Sequence, residues 1–261
     1  MKSIIIIPAR FGSSRFPGKP LALIKGKSLL HRVWSIAKAV TSIQEVYITT
    51  DDNRIAEHAK KFGAQVIMTP AACATGTDRV YVAAKSLKFL PEIIINLQGD
   101  AVLTPPWIIQ SLLDAMLKDQ KVGFATLATK ISLQQYNNMR TTKNNGSVGG
   151  TMVVFAKNHN ALYFSKSMIP FLRNINNDNL PIYRHIGLYG YRYPTLKEYI
   201  ELPASPLEQL ESLEQLRALE NGIPIKVIEV DYRGRTHGSI DSPEDVGIAE
   251  NIIAKEGELI A

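Results

Sequence analysis

Residues 4–20 read Ile-Ile-Ile-Ile-Pro-Ala-Arg-Phe-Gly-Ser-Ser-Arg-Phe-Pro-Gly-Lys-Pro. The first four form a continuous β-branched run, which predicts a strand buried on both faces of a sheet. The chain leaves this strand through Pro8 and enters a loop rich in glycine, serine and cations. Glycines let backbone N–H groups approach an anion and cations neutralise it, so the loop predicts a polyphosphate site. Its characteristic residues are Arg10, Gly12, Ser13, Ser14, Arg15, Gly18 and Lys19.

The spacing in this loop excludes two familiar phosphate-binding patterns. The Walker pattern has four residues between its glycines and Ser or Thr after the Lys. Here five residues separate Gly12 from Gly18, and Pro20 follows Lys19. The sequence Gly-x-Gly-x-x-Gly of dinucleotide-binding folds is absent as well. A solvated basic loop without a ligand remains the alternative interpretation.

Composition narrows the class of protein. The chain has 261 residues, of which 45% are hydrophobic, so it can bury the core of one large domain or a core with an appended lobe. Its charged fraction of 21% is that of a folded protein. The net charge of +6 suits an anionic ligand, but no run of Lys and Arg and no basic stripe with aromatic residues predicts nucleic-acid binding. We interpret the charge as serving small phosphates or as background.

Cysteine content and hydropathy bear on the compartment. The single cysteine, Cys73, excludes an intramolecular disulfide and fits a reducing compartment, so we expect a cytoplasmic protein. The isoleucine run at 4–7 is too short for the apolar core of a signal peptide. No stretch approaches about 18 consecutive apolar residues, which predicts that the chain does not span a membrane.

Strands and helices alternate along the first half of the chain. Strands alternating with helices of about 10–15 residues predict an α/β fold. We expect a Rossmann-like, mostly parallel sheet with helices on both faces and right-handed crossovers. The predicted elements after the first strand are a helix at 28–42, strands at 45–50, 65–68, 93–97 and 124–128, and helices capped by Asp51 or Asp52, capped by Thr77 and following Pro105-Pro106.

The regular alternation fails between residues 130 and 192. Asparagine-rich stretches at 137–145 and 174–179 predict loops, whereas 151–155 and 186–191 predict strands. We interpret 130–192 as a smaller lobe inserted into a single domain of residues 1–261. Alternation then resumes with a helix at 208–221, a strand at 225–230 and a final helix from Ser242.

Two aspartates follow predicted strands or precede a helix. Asp100 comes directly after the buried strand at 93–97, in Gln98-Gly99-Asp100. Ligands of such sheets bind beyond the carboxyl ends of the strands, and Mg²⁺ prefers carboxylates together with phosphate oxygens. Asp100 therefore predicts a magnesium ligand, with an ordinary turn residue as the alternative. Asp241 precedes the helix start Ser242-Pro243, so taken alone it is equally a residue beside a helix cap.

Six motifs occur in order along the chain: Ile-Pro-Ala-Arg-x-Gly-Ser-Ser-Arg-x-Pro-Gly-Lys-Pro-Leu, Thr-Asp-Asp, Gln-Gly-Asp, Ala-Leu-Tyr-Phe-Ser, Arg-His-Ile-Gly-Leu-Tyr-Gly-Tyr and Leu-Glu-Gln-Leu-Arg-Ala-Leu-Glu. Together they resemble the family of 3-deoxy-manno-octulosonate (Kdo) cytidylyltransferases, from Ser3 to about Ile252. The first motif indicates sugar nucleotidyltransferases in general. Residues 185–191 with 214–220 narrow the resemblance to the Kdo branch.

The resemblance implies a reaction in which CTP and an ulosonic acid give the CMP-sugar and pyrophosphate, for lipopolysaccharide synthesis. The anomeric hydroxyl would attack the α-phosphate in line. Such chemistry depends on positioning and charge neutralisation and needs no covalent protein intermediate. The resemblance also implies Mg²⁺ as the cofactor and a homodimer as the assembly. It makes residues 1–261 a single nucleotidyltransferase domain and the inserted lobe at 130–192 a region for sugar binding or dimerisation.

The same resemblance assigns roles to individual residues. The aspartates would bind the metal ion and, with Lys19, would be catalytic. Glu214 and Gln215 also fit an ordinary exposed helical turn, which remains the alternative for this pair. The implied nucleotide-binding residues are Pro8, Arg10, Arg15, Lys19, Arg79 and Gln98; the metal ligands are Asp100 and Asp241; and the sugar-binding residues are Lys166, Arg173, His185, Tyr189, Glu214 and Gln215.

The sequence also departs from the family pattern. Ala101 and Val102 follow Asp100 where the family has Glu-Pro, so one carboxylate beside the predicted metal site is lost. Lys166 replaces the usual Arg and offers a point charge without a bidentate fork. These changes leave the sugar open among Kdo, its 8-amino-3,8-dideoxy relative and another acidic sugar such as a nonulosonate. A non-catalytic paralogue that binds nucleotide or sugar is the alternative from a different class.

Overall fold

The structure is a computed structural model that describes residues 2–12, 15–146, 149–173, 175 and 180–260. Ser13 and Ser14 of the predicted phosphate loop lie outside the described residues, as does most of the loop predicted at 174–179. Among the helices of the described residues, none has the length and apolar composition to cross a membrane.

The secondary structure follows the predicted alternation. The strands are β1 (Ser3–Pro8), β2 (Leu23–Ile24), β3 (Lys27–Ser28), β4 (Glu45–Thr50), β5 (Gln65–Met68), β6 (Ile93–Asn96), β7 (Phe124–Lys130), β8 (Met152–Phe155), β9 (Ala161–Ser165), β10 (Tyr183–Arg192) and β11 (Lys226–Glu229). The helices are α1 (Leu29–Lys38), α2 (Asn53–Lys61), α3 (Gly76–Lys85), α4 (Pro106–Lys118), α5 (Leu133–Asn144), α6 (Tyr193–Glu201), α7 (Pro206–Glu211), α8 (Gln215–Glu220) and α9 (Glu244–Glu256), with a 3₁₀ turn at Lys19–Leu21.

Within the described residues, nine strands form one sheet, in which the order β11-β7-β10-β6-β1-β4-β5 is extended by β8 and β9. Neighbouring strands β6, β1, β4 and β5 are parallel, and so are β7 and β11. Strand β10 is antiparallel to both β6 and β7. Strands β6 and β7 therefore run in the same direction as each other. The carboxyl ends of all the parallel strands therefore lie at one edge of the sheet. The predicted mostly parallel α/β fold is confirmed.

The isoleucine run at 4–7 explains why β1 lies at the centre. All four side chains are fully buried. Ile5 and Ile7 pack in the apolar layer on one face of the sheet, while Ile4 and Ile6 pack in the layer on the other face. Burying two such side chains on each face contributes about 1.5–3 kcal/mol per side chain relative to exposure, so this strand anchors both layers.

Two helices differ from the prediction because of their caps. Helix α3 begins two residues earlier than expected, since Thr75 rather than Thr77 is the N-cap and forms a capping box with Asp78. Helix α5 spans most of the asparagine-rich stretch that predicted a loop. Ser132 and Gln135 form a capping box at its start, which stabilises the helix despite poor helix formers in its interior.

The segments predicted as a lobe at 130–192 join the main sheet at two points. Strands β8 and β9 extend the sheet from β10, and β10 itself lies between β6 and β7. Residues 183–192, predicted to belong to the lobe, are thus central to the sheet. The helix predicted at 208–221 is divided into α7 and α8, because Ser212 adopts a left-handed conformation with φ of 52°.

The first half of β10 extends beyond the end of its neighbour β6. Tyr189 pairs with Asn96, the last residue of β6, and Arg192 pairs with Ile93, the first. Residues 183–188 consequently continue past the carboxyl end of β6 while still pairing with β7. This extension places the side chains of 183–188 above the edge where the phosphate loop and Asp100 also lie.

Candidate active site

A cleft of about 280 Å³ opens at the carboxyl edge of the sheet. It brings together all six residues predicted to bind the nucleotide and both predicted metal ligands. Its lining is formed by Pro8, Ala9, Arg10, Arg15, Lys19, Pro20, Cys73, Thr75, Gly76, Arg79, Gln98, Gly99, Asp100 and Asp241.

Two ion pairs connect the phosphate loop to the aspartates. Lys19 Nζ lies 2.8 Å from Asp100 Oδ2 and also donates a hydrogen bond of 2.7 Å to the carbonyl oxygen of Ile240. Arg15 Nη2 lies 3.0 Å from Asp241 Oδ1. The Lys19 pair is largely shielded, whereas the Arg15 side chain is 66% exposed. The cleft therefore has cations and carboxylates side by side, an arrangement suited to a polyphosphate together with a metal cation.

The loop that carries Lys19 is closed by its own backbone. Gly18 has φ of 73°, a conformation that favours glycine, and its N–H donates to the carbonyl oxygen of Phe11 at 2.9 Å. The ring of Phe11 lies beneath the guanidinium of Arg54, 3.4 Å from ring centroid to Cζ. The 3₁₀ turn that begins at Lys19 follows directly and aims its ammonium group at Asp100.

Gly99 allows the tips of two strands to approach each other closely. A Cβ atom at this position would lie 2.7 Å from the carbonyl oxygen of Pro8, a backbone atom that cannot rotate away. The absence of a side chain at 99 thus lets Asp100 stand beside the residues that follow β1. The sequence marked Gly99 only as part of a turn; its packing role becomes visible in the structure.

Arg79 lines the cleft but is already engaged. Its guanidinium is almost fully buried, donates a hydrogen bond of 2.7 Å to Thr69 Oγ1 and lies 3.3 Å from Asp51 Oδ1. The Thr-Asp-Asp motif therefore supplies a partner for Arg79 through Asp51 and a helix cap through Asp52. A direct contact between Arg79 and a nucleotide stays a prediction.

A chain of buried hydrogen bonds orients Gln98. Its Nε2 donates to Asn96 Oδ1 at 3.1 Å, and Asn96 Nδ2 donates to Thr77 Oγ1 at 3.0 Å. Asn96 and Thr77 are fully buried. The sequence predicted neither as a site residue, although an Asn that ends an isoleucine run is a signal for a polar group at a buried strand tip.

The predicted sugar-binding residues His185, Tyr189 and Gln215 lie together but outside the lining of the cleft. Tyr189 donates a hydrogen bond of 3.0 Å to Gln215 Oε1, and the His185 ring centroid lies 5.8 Å from that of Tyr189. His185 Nε2 lies 2.8 Å from Thr126 Oγ1, and burial lowers the pKa of His185 to about 3, so its ring is neutral. All three are buried, and sugar binding by them stays a prediction.

Glu214 is the most perturbed acid of this group. Within the part of the chain that the structure describes, its buried Oε2 atom has no hydrogen-bond partner, and the same holds for Gln215 Nε2 and Tyr191 Oη. Burial raises the pKa of Glu214 to about 7, partly offset by the Thr77 hydroxyl and the charge of Arg217. The alternative of an ordinary exposed helical turn for Glu214 and Gln215 is wrong, because Gln215 is only 1% exposed and Glu214 Oε2 is buried.

We expect Glu214→Gln to stabilise the protein at pH 8 but not at pH 4. The folded state keeps the Glu214 proton up to a pKa of about 7, whereas the unfolded chain loses it near the ordinary 4.5. This residue's contribution is thus complete below pH 4.5 and is lost as the pH rises to 7, on the order of 3 kcal/mol. Urea unfolding of wild type and variant at each pH isolates this difference from the buried histidines, which titrate in the opposite sense. Equal differences at pH 4 and 8 would contradict the buried, protonated carboxyl.

The remaining two predicted sugar ligands have different surroundings. Lys166 is half-buried. Burial lowers the pKa of its ammonium group, and the charge of Arg15 lowers it further, whereas the charges of Asp241 and Glu211 raise it. Lys166 therefore lies within the field of the cleft. Glu211 accepts hydrogen bonds of 2.7 Å from the Lys166 N–H and from the Ser165 hydroxyl; the sequence did not single it out. Arg173 is exposed.

The carboxylates of the cleft fit a magnesium site completed by substrate. The described residues contain no cluster of three or more His, Cys, Asp or Glu that could hold a metal ion by itself. Asp100 and Asp241 nevertheless face the same cleft as the phosphate-loop cations. Mg²⁺ is often bound by one or two carboxylates plus substrate phosphates and waters, so this donor set fits that ion.

Comparison with known proteins gives concordant matches. The sequence model of the family described as cytidylyltransferase matches residues 4–228. The chain is 48% identical over 260 residues to the 3-deoxy-manno-octulosonate cytidylyltransferase of Maricaulis maris (strain MCS10), covering 100% of both chains. It is 40% identical over 253 residues to the 8-amino-3,8-dideoxy-manno-octulosonate cytidylyltransferase of Shewanella pealeana (strain ATCC 700345 / ANG-SQ1), covering 96% of this chain and 98% of that one.

A solved structure shares the whole architecture. The structure of CMP:2-keto-3-deoxy-manno-octonic acid synthetase complexed with CTP superposes with a TM-score of 0.86 at 36% sequence identity. The alignment covers 98% of this chain and 100% of that one. The similarity therefore includes both the sheet and the segments at 130–192.

Proposed function

Because the chain belongs to the cytidylyltransferase family, we propose that it transfers the cytidylyl group of CTP to 3-deoxy-manno-octulosonate and releases pyrophosphate. The observation that carries this proposal is the cleft in which Arg15 and Lys19 are paired with Asp241 and Asp100. The relatives of full length and the CTP-bound structural neighbour support the same assignment. In the reaction a bond forms between the anomeric oxygen and the α-phosphorus, and the bond from that phosphorus to the β-phosphate bridging oxygen breaks.

The residues of the cleft would act mainly by positioning and charge. Arg10, Arg15 and Lys19 neutralise the triphosphate, and Lys19 and Arg15 stabilise the charge that moves to the leaving pyrophosphate. Asp100 and Asp241 would hold Mg²⁺, which supplies further positive charge to the phosphate oxygens when bound. Gln98 lines the cleft and donates a hydrogen bond to Asn96, which fixes the orientation of its amide for contact with the nucleotide.

A second candidate acceptor is 8-amino-3,8-dideoxy-manno-octulosonate. The observation that favours it is Glu214, whose buried Oε2 has no hydrogen-bond partner among the described residues. An ammonium group would pair with this carboxylate more strongly than a hydroxyl does. We nevertheless propose Kdo as the substrate, since the Maricaulis relative is the more similar of the two at full coverage.

The assay for the proposed function measures pyrophosphate release from CTP with Mg²⁺ and one sugar at a time. We expect release with Kdo at a kcat/KM at least about tenfold above those for the 8-amino sugar and for sialic acid, because a matched polar site rejects analogues that leave its groups unpaired. A higher kcat/KM with the 8-amino sugar that Glu214→Gln abolishes would assign the second candidate. If none of the three sugars led to pyrophosphate release, the remaining interpretation would be a non-catalytic protein that binds nucleotide or sugar.

The assembly and compartment are part of the proposal. We propose a homodimer formed along β9, which lies beyond β8 at the end of the described sheet and carries Leu162, 63% exposed; the first residue of β9, Ala161, donates its N–H to the carbonyl oxygen of Ile225. An edge strand with an exposed apolar side chain is suited to a protein interface. Analytical ultracentrifugation tests this assembly. The single Cys73 supports the cytoplasm as the compartment, which cell fractionation tests.

A further inference from the structure

A second cavity, of about 260 Å³, lies between α5 and the extended first half of β10. It belongs to the same edge of the sheet as the nucleotide cleft, because residues 183–188 continue past the end of β6. None of the residues that line it lines the cleft. They are Asn138, Met139, Thr142, Lys143, Gly149, Gly150 and Arg184.

The guanidinium of Arg184 is the unusual group in this cavity. Arg184 is half-buried, and its buried Nε atom has no hydrogen-bond partner among the described residues. Burial lowers its pKa, and the group that offsets this effect is the phenol of Tyr232. Across the described part of the chain, Arg184 forms no ion pair with Asp or Glu. A partly desolvated guanidinium without an opposite charge among the described residues is unfavourable, so a bound anion at this position would stabilise it.

Other cations strengthen the positive potential. Lys143 Nζ donates a hydrogen bond of 2.8 Å to the carbonyl oxygen of Gly149 at the rim of the cavity. Burial together with the charges of Lys166 and Arg184 lowers the pKa of Lys143. The carboxylate that opposes them is Glu211, and it is already held by the Lys166 backbone N–H and the Ser165 hydroxyl. The cations of the cavity therefore remain undercompensated.

We propose that Arg184 and Lys143 bind a small oxyanion, a carboxylate or a phosphate, in this cavity beside the nucleotide cleft. A guanidinium offers parallel N–H donors that match the two oxygens of such a group, and a lysine adds a mobile point charge. Lys166 is close enough to both sites that its charge lowers the pKa of Lys143, while the charges of Asp241 and Arg15 act on the pKa of Lys166. The site would therefore hold an anion next to the reacting groups.

Two sources could supply the oxyanion. One is the carboxylate of the acceptor sugar, and this source rests on the proposed function. The other is free phosphate or pyrophosphate, which does not depend on which sugar the enzyme uses. Direct binding measurements separate the two, because they require no turnover. Loss of pyrophosphate release with every sugar would overturn the proposed function and leave the phosphate source standing.

The experiment is isothermal titration of the whole protein with Kdo and, separately, with inorganic phosphate. Wild type is compared with Arg184→Met, Lys143→Met and Lys19→Met. The exposed Lys118 at the end of α4, at the opposite edge of the sheet, provides the matched control Lys118→Met. Thermal unfolding of every variant checks the fold, and CTP titration of Arg184→Met, Lys143→Met and Lys118→Met checks that the nucleotide cleft is intact. Lys143→Met keeps the test decisive if Arg184→Met does not fold.

We expect the affinity for at least one of the two anions to fall about tenfold or more in Arg184→Met and Lys143→Met, and to change less than twofold in Lys118→Met. Loss confined to Kdo assigns the sugar carboxylate, and loss that includes phosphate assigns a general oxyanion site. Binding that is lost only in Lys19→Met would place the anion in the nucleotide cleft and overturn the proposal. Absence of binding of either anion to wild type would overturn it as well.

Discussion

Replacing Asp100 or Asp241 with Asn is expected to lower kcat about a thousandfold while the protein remains folded. An amide has nearly the shape of the carboxylate but lacks the charge that would hold Mg²⁺ against a triphosphate. A metal ion contributes several kcal/mol of charge stabilisation to such a transition state, and each 1.36 kcal/mol is a factor of ten in rate. Steady-state pyrophosphate release over a range of Mg²⁺ concentrations measures the effect.

Asp114→Asn is the matched control, because Asp114 is an exposed carboxylate on α4 that hydrogen-bonds only Gln110 among the described residues. Its kcat is expected to equal that of wild type. Thermal unfolding checks the fold of all three variants. Turnover near that of wild type in Asp100→Asn or Asp241→Asn at saturating Mg²⁺ would remove that residue from the metal site.

Replacing Lys19 with Met is expected to lower kcat/KM for CTP about a hundredfold. The ammonium group of Lys19 contacts both Asp100 and the carbonyl oxygen of Ile240, so it joins the tip of β6 to the segment that carries Asp241. Its loss removes a cation from the triphosphate and leaves the partly shielded Asp100 without its ion pair. A hydrogen bond to a charged group contributes about 1.5–3 kcal/mol, which corresponds to this range of rates.

Initial rates at varied CTP, with the sugar saturating, separate the effects on KM and kcat. Lys38→Met, which alters an exposed lysine at the end of α1, provides a control for the loss of one positive charge. Lys19→Arg should recover part of the activity because it restores the charge. If Lys19→Met kept both KM and kcat within twofold of wild type, the basic loop would be solvated and without a role in phosphate binding.

The order of strands in the sheet follows from pattern only in part. The isoleucine run at 4–7 and the segment at 45–50, rich in β-branched residues, predict their strands accurately, because central parallel strands are buried on both faces. The central position of β10 is not predictable in the same way. Gly187 and Gly190 interrupt its apolar pattern, and Gly190 is required where a Cβ atom would lie 2.4 Å from Met116 Sδ. That requirement depends on a helix 74 residues away in the chain, which no local pattern contains.

The residues of the candidate site could likewise be predicted from the sequence only in part. The loop cations and Asp100 could be predicted because they directly follow strands whose ends meet at one edge. Asp241 was ambiguous, since its role depends on an ion pair with Arg15 across 226 residues of sequence. Glu211 and Arg184 were missed as candidate ligands because their significance depends on their surroundings. Glu211 accepts hydrogen bonds from Ser165 and Lys166, whereas the buried Nε of Arg184 has no acceptor among the described residues. Burial and partners of this kind are properties of the packed chain.

The antiparallel strand β10 also determines when the sheet can be completed during synthesis. Strands β6 and β7 lie within the first 130 residues, but the strand that joins them begins only at residue 183. Until that segment leaves the ribosome, both strands present an unpaired row of backbone donors and acceptors to other chains. Open edges of this type promote aggregation, and pairing over long sequence separations is slow. The interval before β10 emerges is therefore the stage at which β6 and β7 are most open to pairing with other chains.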